Sequence, residues 1–330
     1  MKNINQRMTL NDDSLVSIII VNYNQRLYLQ KCLKSIHDNN HKRIEVILVD
    51  NNSTDDSLEF VRKNFPKVNI INLERNYGYA EPNNIGAKMA KGQLLYFLNN
   101  DTELCPNSIS ELVKVIREPD IVICQSLLLK SDGKVDSSGD FITTVGLAYK
   151  SVKKTDKIKP ILSARGAAMM IRKDVFWELD GFDKKFFASF EDVDLGWRAW
   201  IFGYKVVLVP SSIVYHVGGK TVKMLEPQIK FHGIKNTILL ILTNFDLSFA
   251  IKNIIMLPAE IISRKFSKIE KNANSDNLVN LPSFQNFFKA IFWIIKNFGH
   301  VCKKRKKVKS RRIRSTNELI KMELITQGRK

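Results

Sequence analysis

Val16-Ser17-Ile18-Ile19-Ile20-Val21, followed at once by Asn22-Tyr23-Asn24, is the stretch on which the fold turns. Apart from Ser17, every residue of the run is β-branched and apolar. Such a run predicts a strand covered on both faces, because a half-exposed strand would alternate with polar residues. Asn22 to Asn24 then read as the loop at its carboxyl end.

Working outward, the same unit recurs. Leu29, Leu33 and Ile36 mark a helix, and Ile44 to Val49 a second buried strand ending in Asp50-Asn51-Asn52-Ser53. Ser53-Thr54-Asp55-Asp56 reads as a helix start leading into Leu58, Val61 and Phe65. Val68 to Ile71 is a third strand, and Asn76-Tyr77-Gly78-Tyr79-Ala80 leads into a helix carrying Asn83, Asn84 and Gly86. Gln93 to Leu98 is a fourth strand, running into Asn99-Asn100-Asp101. Strands alternating with helices predict an α/β fold, a doubly wound and mainly parallel sheet with helices on both faces. Ligands of such sheets bind beyond the carboxyl ends of the strands, where strand order reverses. Three polar clusters fall at those ends. Asn and Asp also favour turns, but three clusters on one edge point to a site. No Gly-x-Gly-x-x-Gly and no phosphate loop occurs, which argues against dinucleotide enzymes and kinases.

A second dense stretch runs from Ser163 to Gly219. Glu191, Asp192 and Asp194 fall among Phe186, Phe187, Phe190 and Trp197. Carboxylates near apolar walls are partly desolvated, which raises their proton affinity and suits them to proton transfer. Asp194 and Arg198 stand four apart and can pair on one helical face. Leu195, Ala199 and Phe202 are placed to face the core, and Gly203 to end the helix. Asp192 then lies near a helix N-terminus, where it serves either as a cap or as a functional acid.

VSIIIVNYN (residues 16–24), VDNNSTDDS (49–57), NYGYAEPNNIG (76–86), LYFLNNDT (95–102), GAAMMIRK (166–173), Gly181 to Arg198, and Val209 to Gly219 follow one another in this order. Over about residues 14–225 the chain resembles the family 2 glycosyltransferases, particularly their rhamnosyltransferase-like branch with the GT-A nucleotide-sugar-binding fold. The resemblance implies that Asp50 holds the base, with Asn22, Tyr23, Asn24 and Asn51 nearby and Asn76 lining the pocket. It extends the donor surface to Asn84, Asn100, Gly166 and Ala167. The family's Asp-x-Asp metal motif is replaced by Asn99-Asn100-Asp101, leaving Asp101 as its one carboxylate, with His216 near the cation and diphosphate. One carboxylate is workable for Mg²⁺ or Mn²⁺ when phosphates complete the shell. The acidic pair Glu191-Asp192 matches the family's, Asp192 at the position of the catalytic base, and Trp197 and Arg198 match a helix that faces the acceptor or simply packs.

What the resemblance implies is inverting transfer of a sugar, such as rhamnose, from a dTDP- or UDP-linked donor to a hydroxyl of a glycan or lipid-linked acceptor in surface-polysaccharide assembly. A rival from another class is a non-catalytic nucleotide-sugar- or glycan-binding protein, which Asn99 in place of an acid favours.

The bulk numbers bound the rest. At 330 residues, 44% hydrophobic and 26% charged, the chain is globular. Its net charge is +19, and nine of the twelve residues from Lys303 to Arg314 are Lys or Arg, so about half the excess sits in one run. Cys32, Cys105, Cys124 and Cys302 lack disulfide or metal spacing, which predicts a reducing compartment with Cys32 and Cys124 in the core. A polar N-terminal tail (1–13) without a signal-peptide run, a catalytic domain (14–225), an amphipathic helical region (226–302) and a basic tail (303–330) are the expected divisions. No stretch supplies the roughly 20 apolar residues of a spanning helix. Phe284 to Val301 instead reads as an amphipathic helix, with Gln285, Asn286, Lys289, Lys296, Asn297 and His300 on a narrow polar arc. With the basic run behind it, residues 284–314 predict peripheral binding to an anionic cytoplasmic membrane surface, or else packing on the domain or on a partner copy as a homodimer. Nucleic acid is not expected, since no aromatics interleave the basic residues.

Overall fold

In the computed structural model, which describes residues 9–218, 226–270 and 284–327, the opening run forms the strand expected of it. The elements β1 (Val16–Asn22), α1 (Arg26–His37), β2 (Ile44–Asp50), α2 (Ser57–Asn64), β3 (Asn69–Asn72), α3 (Ala80–Met89) and β4 (Leu94–Asn99) keep the alternation. β1 pairs in parallel with β2 on one side and β4 on the other, and β2 with β3. Asn22 lies opposite Asp50, and Val21 opposite Asn99, so the polar strand ends share one edge. The chain runs outward from β1 to β3 and returns to β4, which makes the β1–β4 boundary the point where strand order reverses. α2 starts at Ser57, four residues later than expected. Ser53 is drawn off into hydrogen bonds with Asp50 and Asn22, and the N–H groups of Thr54 and Asp55 are held by Asn24.

Beyond β4 the sheet becomes mixed. The elements are β5 (Thr102–Leu104), α4 (Ser108–Ile116), β6 (Ile121–Leu129), β7 (Val135–Ser137), β8 (Asp140–Thr143), β9 (Ala148–Lys150), β10 (Lys159–Pro160), β11 (Ala168–Arg172), α5 (Lys173–Glu178), α6 (Glu191–Ile201) and β12 (Lys205–His216). β11 enters antiparallel between β4 and β6, β12 runs parallel to β6, and the order is β10-β12-β6-β11-β4-β1-β2-β3. An antiparallel neighbour on a parallel sheet is common at this size.

The chain continues through α7 (Glu226–Asn244), α8 (Leu247–Glu270), α9 (Phe284–Lys296), α10 (Phe298–Arg311), α11 (Thr316–Lys321) and β13 (Ile325–Thr326), which pairs with β8. The boundary expected at 225/226 abuts residues 219–225, which with residues 1–8 of the N-terminal tail, 271–283 of the helical region and 328–330 lie outside the described residues. On either side of that boundary the chain shares one core. A single buried cluster runs from Ile19 through Trp197 and Trp200 to Ile238, Ala290 and Ile325.

The basic run is therefore not a solvated tail. α10 lies on the domain and its charges are spent there: Lys304 on Asp183 and Asp194, Lys307 on Asp180, and Arg311 on Glu178. Arg312 reaches Asp246, and Arg314 donates to the carbonyls of Trp200, Gly203 and Tyr204. Lys303, Lys306 and Lys309 stay exposed without an ion pair among the described residues. The apolar arc expected over residues 284–301, which α9 and the start of α10 share, is split likewise. Phe287, Ala290, Ile291 and Ile294 pack inward, whereas Phe288, Phe292, Ile295 and Phe298 are 60–70% exposed.

Candidate active site

At the carboxyl edge of β1 and β2, Asp50 is fully buried and both its oxygens are taken. Oδ1 accepts from Asn22 Nδ2 (3.0 Å) and Ser53 Oγ (2.6 Å), and Oδ2 from the Ser53 N–H (2.8 Å). Asp50 thus shapes this part of the edge rather than presenting a free carboxylate, and Tyr23 and Asn24 carry its accessible surface. Asn51, also buried, donates to Asn76 Oδ1 (2.9 Å) and the Gly78 carbonyl (2.7 Å) and accepts from the Tyr77 N–H, which folds the 76–78 loop back over the strand ends. Asn100 donates to Asn22 (2.9 Å), linking the β1 and β4 exits. Asn84 bonds both backbone groups of Phe182 and acts as a strut between α3 and the loop before α6.

Asp101 follows directly. Its Oδ2 accepts the Gly218 N–H, and its Oδ1 lies 3.4 Å from His216 Nε2. On the other ring nitrogen, His216 meets Asp136 at 2.9 Å, and Asp136 also holds Lys150 at 2.7 Å. Burial alone would lower the His216 pKa, but the hydrogen bonds to Asp101 and Asp136 outweigh it and raise it to about 9. A cation about 2.1 Å from each ligand atom can touch both Asp101 Oδ1 and His216 Nε2. The Asp136 carboxylate behind His216 is the partner by which metal-bound histidines are usually oriented. Among the described residues no three His, Cys, Asp or Glu side chains cluster to hold a metal. Asp101 and His216 are the side chains there that could hold a cation, and other ligands would have to complete its shell.

The backbone at Gly166 and Ala167 connects the two acids. The Asn99 N–H donates to the Ala167 carbonyl (3.1 Å), and the Gly166 N–H donates to Asp192 Oδ2 (2.9 Å). The Tyr79 hydroxyl donates to the Gly166 carbonyl (2.7 Å). Burial first, then the charges of Glu191, Asp192 and Asp101, push that phenol well above its usual pKa, so all three acids lie within electrostatic reach of one side chain.

Asp192 is the second residue of α6, and its Oδ1 accepts the Val193 N–H (2.8 Å). Glu191 is buried, with Oε2 lacking a partner; burial, then the charge of Asp192, raise its pKa well above the carboxylate range. Trp197 and Arg198 are not on an accessible face. Trp197 is fully buried edge-on to Phe245, and Arg198 pairs with Asp194 (2.7 Å) and donates to the Gly181 carbonyl. Beyond the partly exposed Asp192 the helix is buried, which keeps Trp197 and Arg198 as packing. Tyr79, Ser53, Asp136 and Arg165, which donates to Asp140, were not singled out from sequence. Tyr79 and Ser53 stand in the motifs NYGYAEPNNIG and VDNNSTDDS, Ser53 there reading as a helix start; for Asp136 and Arg165 no local pattern marks them.

The sequence model described as Glycosyl transferase family 2 matches residues 17–180, which hold β1 to α5 and with them the Asn22, Asp50, Asp101 and Gly166 clusters. The O-antigen biosynthesis protein RfbC of Myxococcus xanthus is 30% identical over 53% of this chain, which spans 15% of that protein. An N-acetylglucosaminyl-diphospho-decaprenol L-rhamnosyltransferase of Mycobacterium tuberculosis is 25% identical over 61% of this chain and 76% of its own length. Among solved structures, GalNAc-T7 with UDP, GalNAc and Mn²⁺ has a TM-score of 0.55 at 19% identity, over 86% of this chain and 57% of that one, a likeness of fold alone. Fold, motif order and family match agree, and the chain belongs to glycosyl transferase family 2.

Proposed function

We propose that the protein transfers a sugar, with inversion, from a dTDP- or UDP-linked donor to a hydroxyl of a lipid-linked or glycan acceptor in surface-polysaccharide assembly. The observation that supports this most is the junction at Gly166-Ala167, which ties the Asn99–Asp101 exit of β4 to Asp192 through adjacent backbone groups. The nucleoside lies over Tyr23, Asn24 and the 76–78 loop. Asp101 and His216 would hold a divalent cation, Mg²⁺ or Mn²⁺, at the diphosphate end. When bound, the cation supplies Lewis acidity toward the departing diphosphate. Asp192, its Oδ2 fixed by the Gly166 N–H, takes the proton of the acceptor hydroxyl as that oxygen attacks the anomeric carbon opposite the leaving group. One base and one displacement invert the centre, with no second carboxylate for a covalent intermediate. The acceptor class draws on the mycobacterial relative, whose name specifies a lipid diphosphate acceptor, and the nucleotide and cation on the UDP and Mn²⁺ of GalNAc-T7.

Asp101→Asn is expected to weaken UDP or dTDP binding in Mg²⁺ or Mn²⁺ by about 10- to 100-fold, the loss of one charge-assisted contact. Calorimetry of the parent with and without chelator gives the counter-test, because equal affinities would remove the cation from the scheme.

The lipid end of the proposal rests on the outward row Phe288, Phe292, Ile295 and Phe298, flanked by exposed Lys289, Lys296 and Lys303. Among the described residues no helix is long and apolar enough to cross a membrane. The row instead suits a helix lying in the bilayer interface at the cytoplasmic face. Phe288→Ser with Phe292→Ser is expected to lower partition onto vesicles containing anionic phospholipid by at least about 10-fold, since each buried Phe contributes about 1.5–3 kcal/mol. Unchanged co-sedimentation would rule out this face, and loss of a dimer in the same variant would assign it to a second copy.

A further inference from the structure

The loop from Lys185 to Phe190, immediately before the acidic pair, has a backbone that its sequence does not favour. Phe187, Ser189 and Phe190 have φ of 65°, 72° and 70°, and none is glycine. Three left-handed residues in four positions persist only where the surroundings over-determine them. Those surroundings come from one face of α7, where His232, Lys235 and Asn236 stand three and four apart. The fully buried Asn236 aims its Nδ2 at three carbonyls of the loop: Phe186 (3.1 Å), Ala188 (2.9 Å) and Ser189 (2.6 Å). Lys235, 1% exposed, donates to the Lys185 and Phe186 carbonyls, and the His232 ring stacks on Phe187 at 4.8 Å. From the other side the Phe187 carbonyl accepts the N–H groups of Tyr79 (2.6 Å) and Ala80 (3.1 Å).

Phe190 is the residue from which α6 starts. Its left-handed turn sets the direction of the first helical turn, and so whether Asp192 Oδ2 meets the Gly166 N–H. We propose that Asn236 is a positioning residue for the transfer reaction. It clamps the 186–189 backbone, with the left-handed Phe187 and Ser189, so that the Asp192 carboxylate is held against Gly166. The proposal rests on the reading of Asp192 as the base. It assigns a part in catalysis to a helix that begins beyond the residues matched by the family model.

The test is a double-mutant cycle of Asn236→Ala with Asp192→Asn, following release of nucleoside diphosphate from dTDP-rhamnose or a UDP-hexose, whichever sustains turnover. A misplacement of about 1 Å costs on the order of 10²-fold, so Asn236→Ala should lower kcat by about that factor. UDP affinity by calorimetry should stay within about 2-fold, because the Asn22–Asn51 side of the cleft is untouched. With Asp192→Asn in place, Asn236→Ala should lower the remaining rate by less than about 3-fold, as expected of a residue acting through that carboxylate. Asn236→Ser, which keeps one donor, should fall between parent and Ala and substitutes for Ala should Ala fail to fold. An unchanged kcat, an equal fold-loss in both backgrounds, or UDP affinity falling in step with kcat would each overturn the proposal. Parental turnover by Asp192→Asn alone would instead sink the reading of the base.

Discussion

Asp192→Asn is expected to lower kcat by about 10²- to 10⁴-fold, or about 3–5 kcal/mol of barrier, while leaving the fold intact. The substitution is isosteric, and an amide oxygen still accepts the Gly166 N–H that fixes Oδ2, with only the Val193 N–H contact of Oδ1 given up. What is lost is the lone pair that takes the acceptor proton. The neighbouring carboxyl cannot substitute, because Glu191 is buried with an unpartnered oxygen and a raised pKa, an environment that favours its neutral form. Glu191→Gln should therefore cost far less turnover than Asp192→Asn, and the ratio of the two is the informative quantity. Thermal melting of Asp192→Asn within about 2 °C of the parent would confirm that the loss is chemical. Parental turnover would remove Asp192 from the mechanism.

The parallel half of the sheet was legible because its information is local. The run from Val16 to Val21, the strand at Ile44 and the polar exits at Asn22, Asp50 and Asn99 each declare themselves within about ten residues, as buried strands and their loops do. Their order also carries the family. The pairing of Asp194 with Arg198 and the helix stop at Gly203 were readable for the same reason, both being set within one helix. The misread parts depend on distant partners. A run of nine cations in twelve residues looks solvated unless the chain folds Asp180, Asp183 and Asp194 beside it, more than a hundred residues away. Asp50 looks like an open ligand until Ser53, a residue read as a helix start, is seen to close over it. The left-handed backbone at Phe187, Ser189 and Phe190 carries no glycine to announce it, since tertiary hydrogen bonds from Asn236 impose it.

Removing the ammonium of Lys304 is expected to have the largest effect on stability. Its Nζ lies 2.8 Å from both Asp183 Oδ2 and Asp194 Oδ1, side chains 10% and 0% exposed, and 4.8 Å from the centre of the Phe186 ring. Burial would raise the pKa of both acids. The Lys304 charge outweighs it at Asp183 together with His300, and at Asp194 together with Arg198, so both stay below the ordinary carboxylate range. Lys304→Met keeps the stem but leaves two buried carboxylates short of a partner, a change worth about 3–5 kcal/mol. In a domain of this size that is about 10 °C in Tm. The sign of the pH dependence follows from the lowered pKa values. Such acids contribute stability that is fully present above their unfolded pKa of about 4 and is lost as pH falls toward the folded value. The gap in Tm between parent and variant should therefore be full at pH 7 and narrow below about pH 4. Because Asp194 is two residues from Asp192 on the same helix, the variant should also lose turnover before it loses secondary structure on warming. A Tm within about 2 °C of the parent at pH 7 would mean that the remaining partners, His300 and the Lys185 N–H on Asp183 and Arg198 and Asn244 on Asp194, satisfy the two acids, and that α10 is held by its apolar contacts.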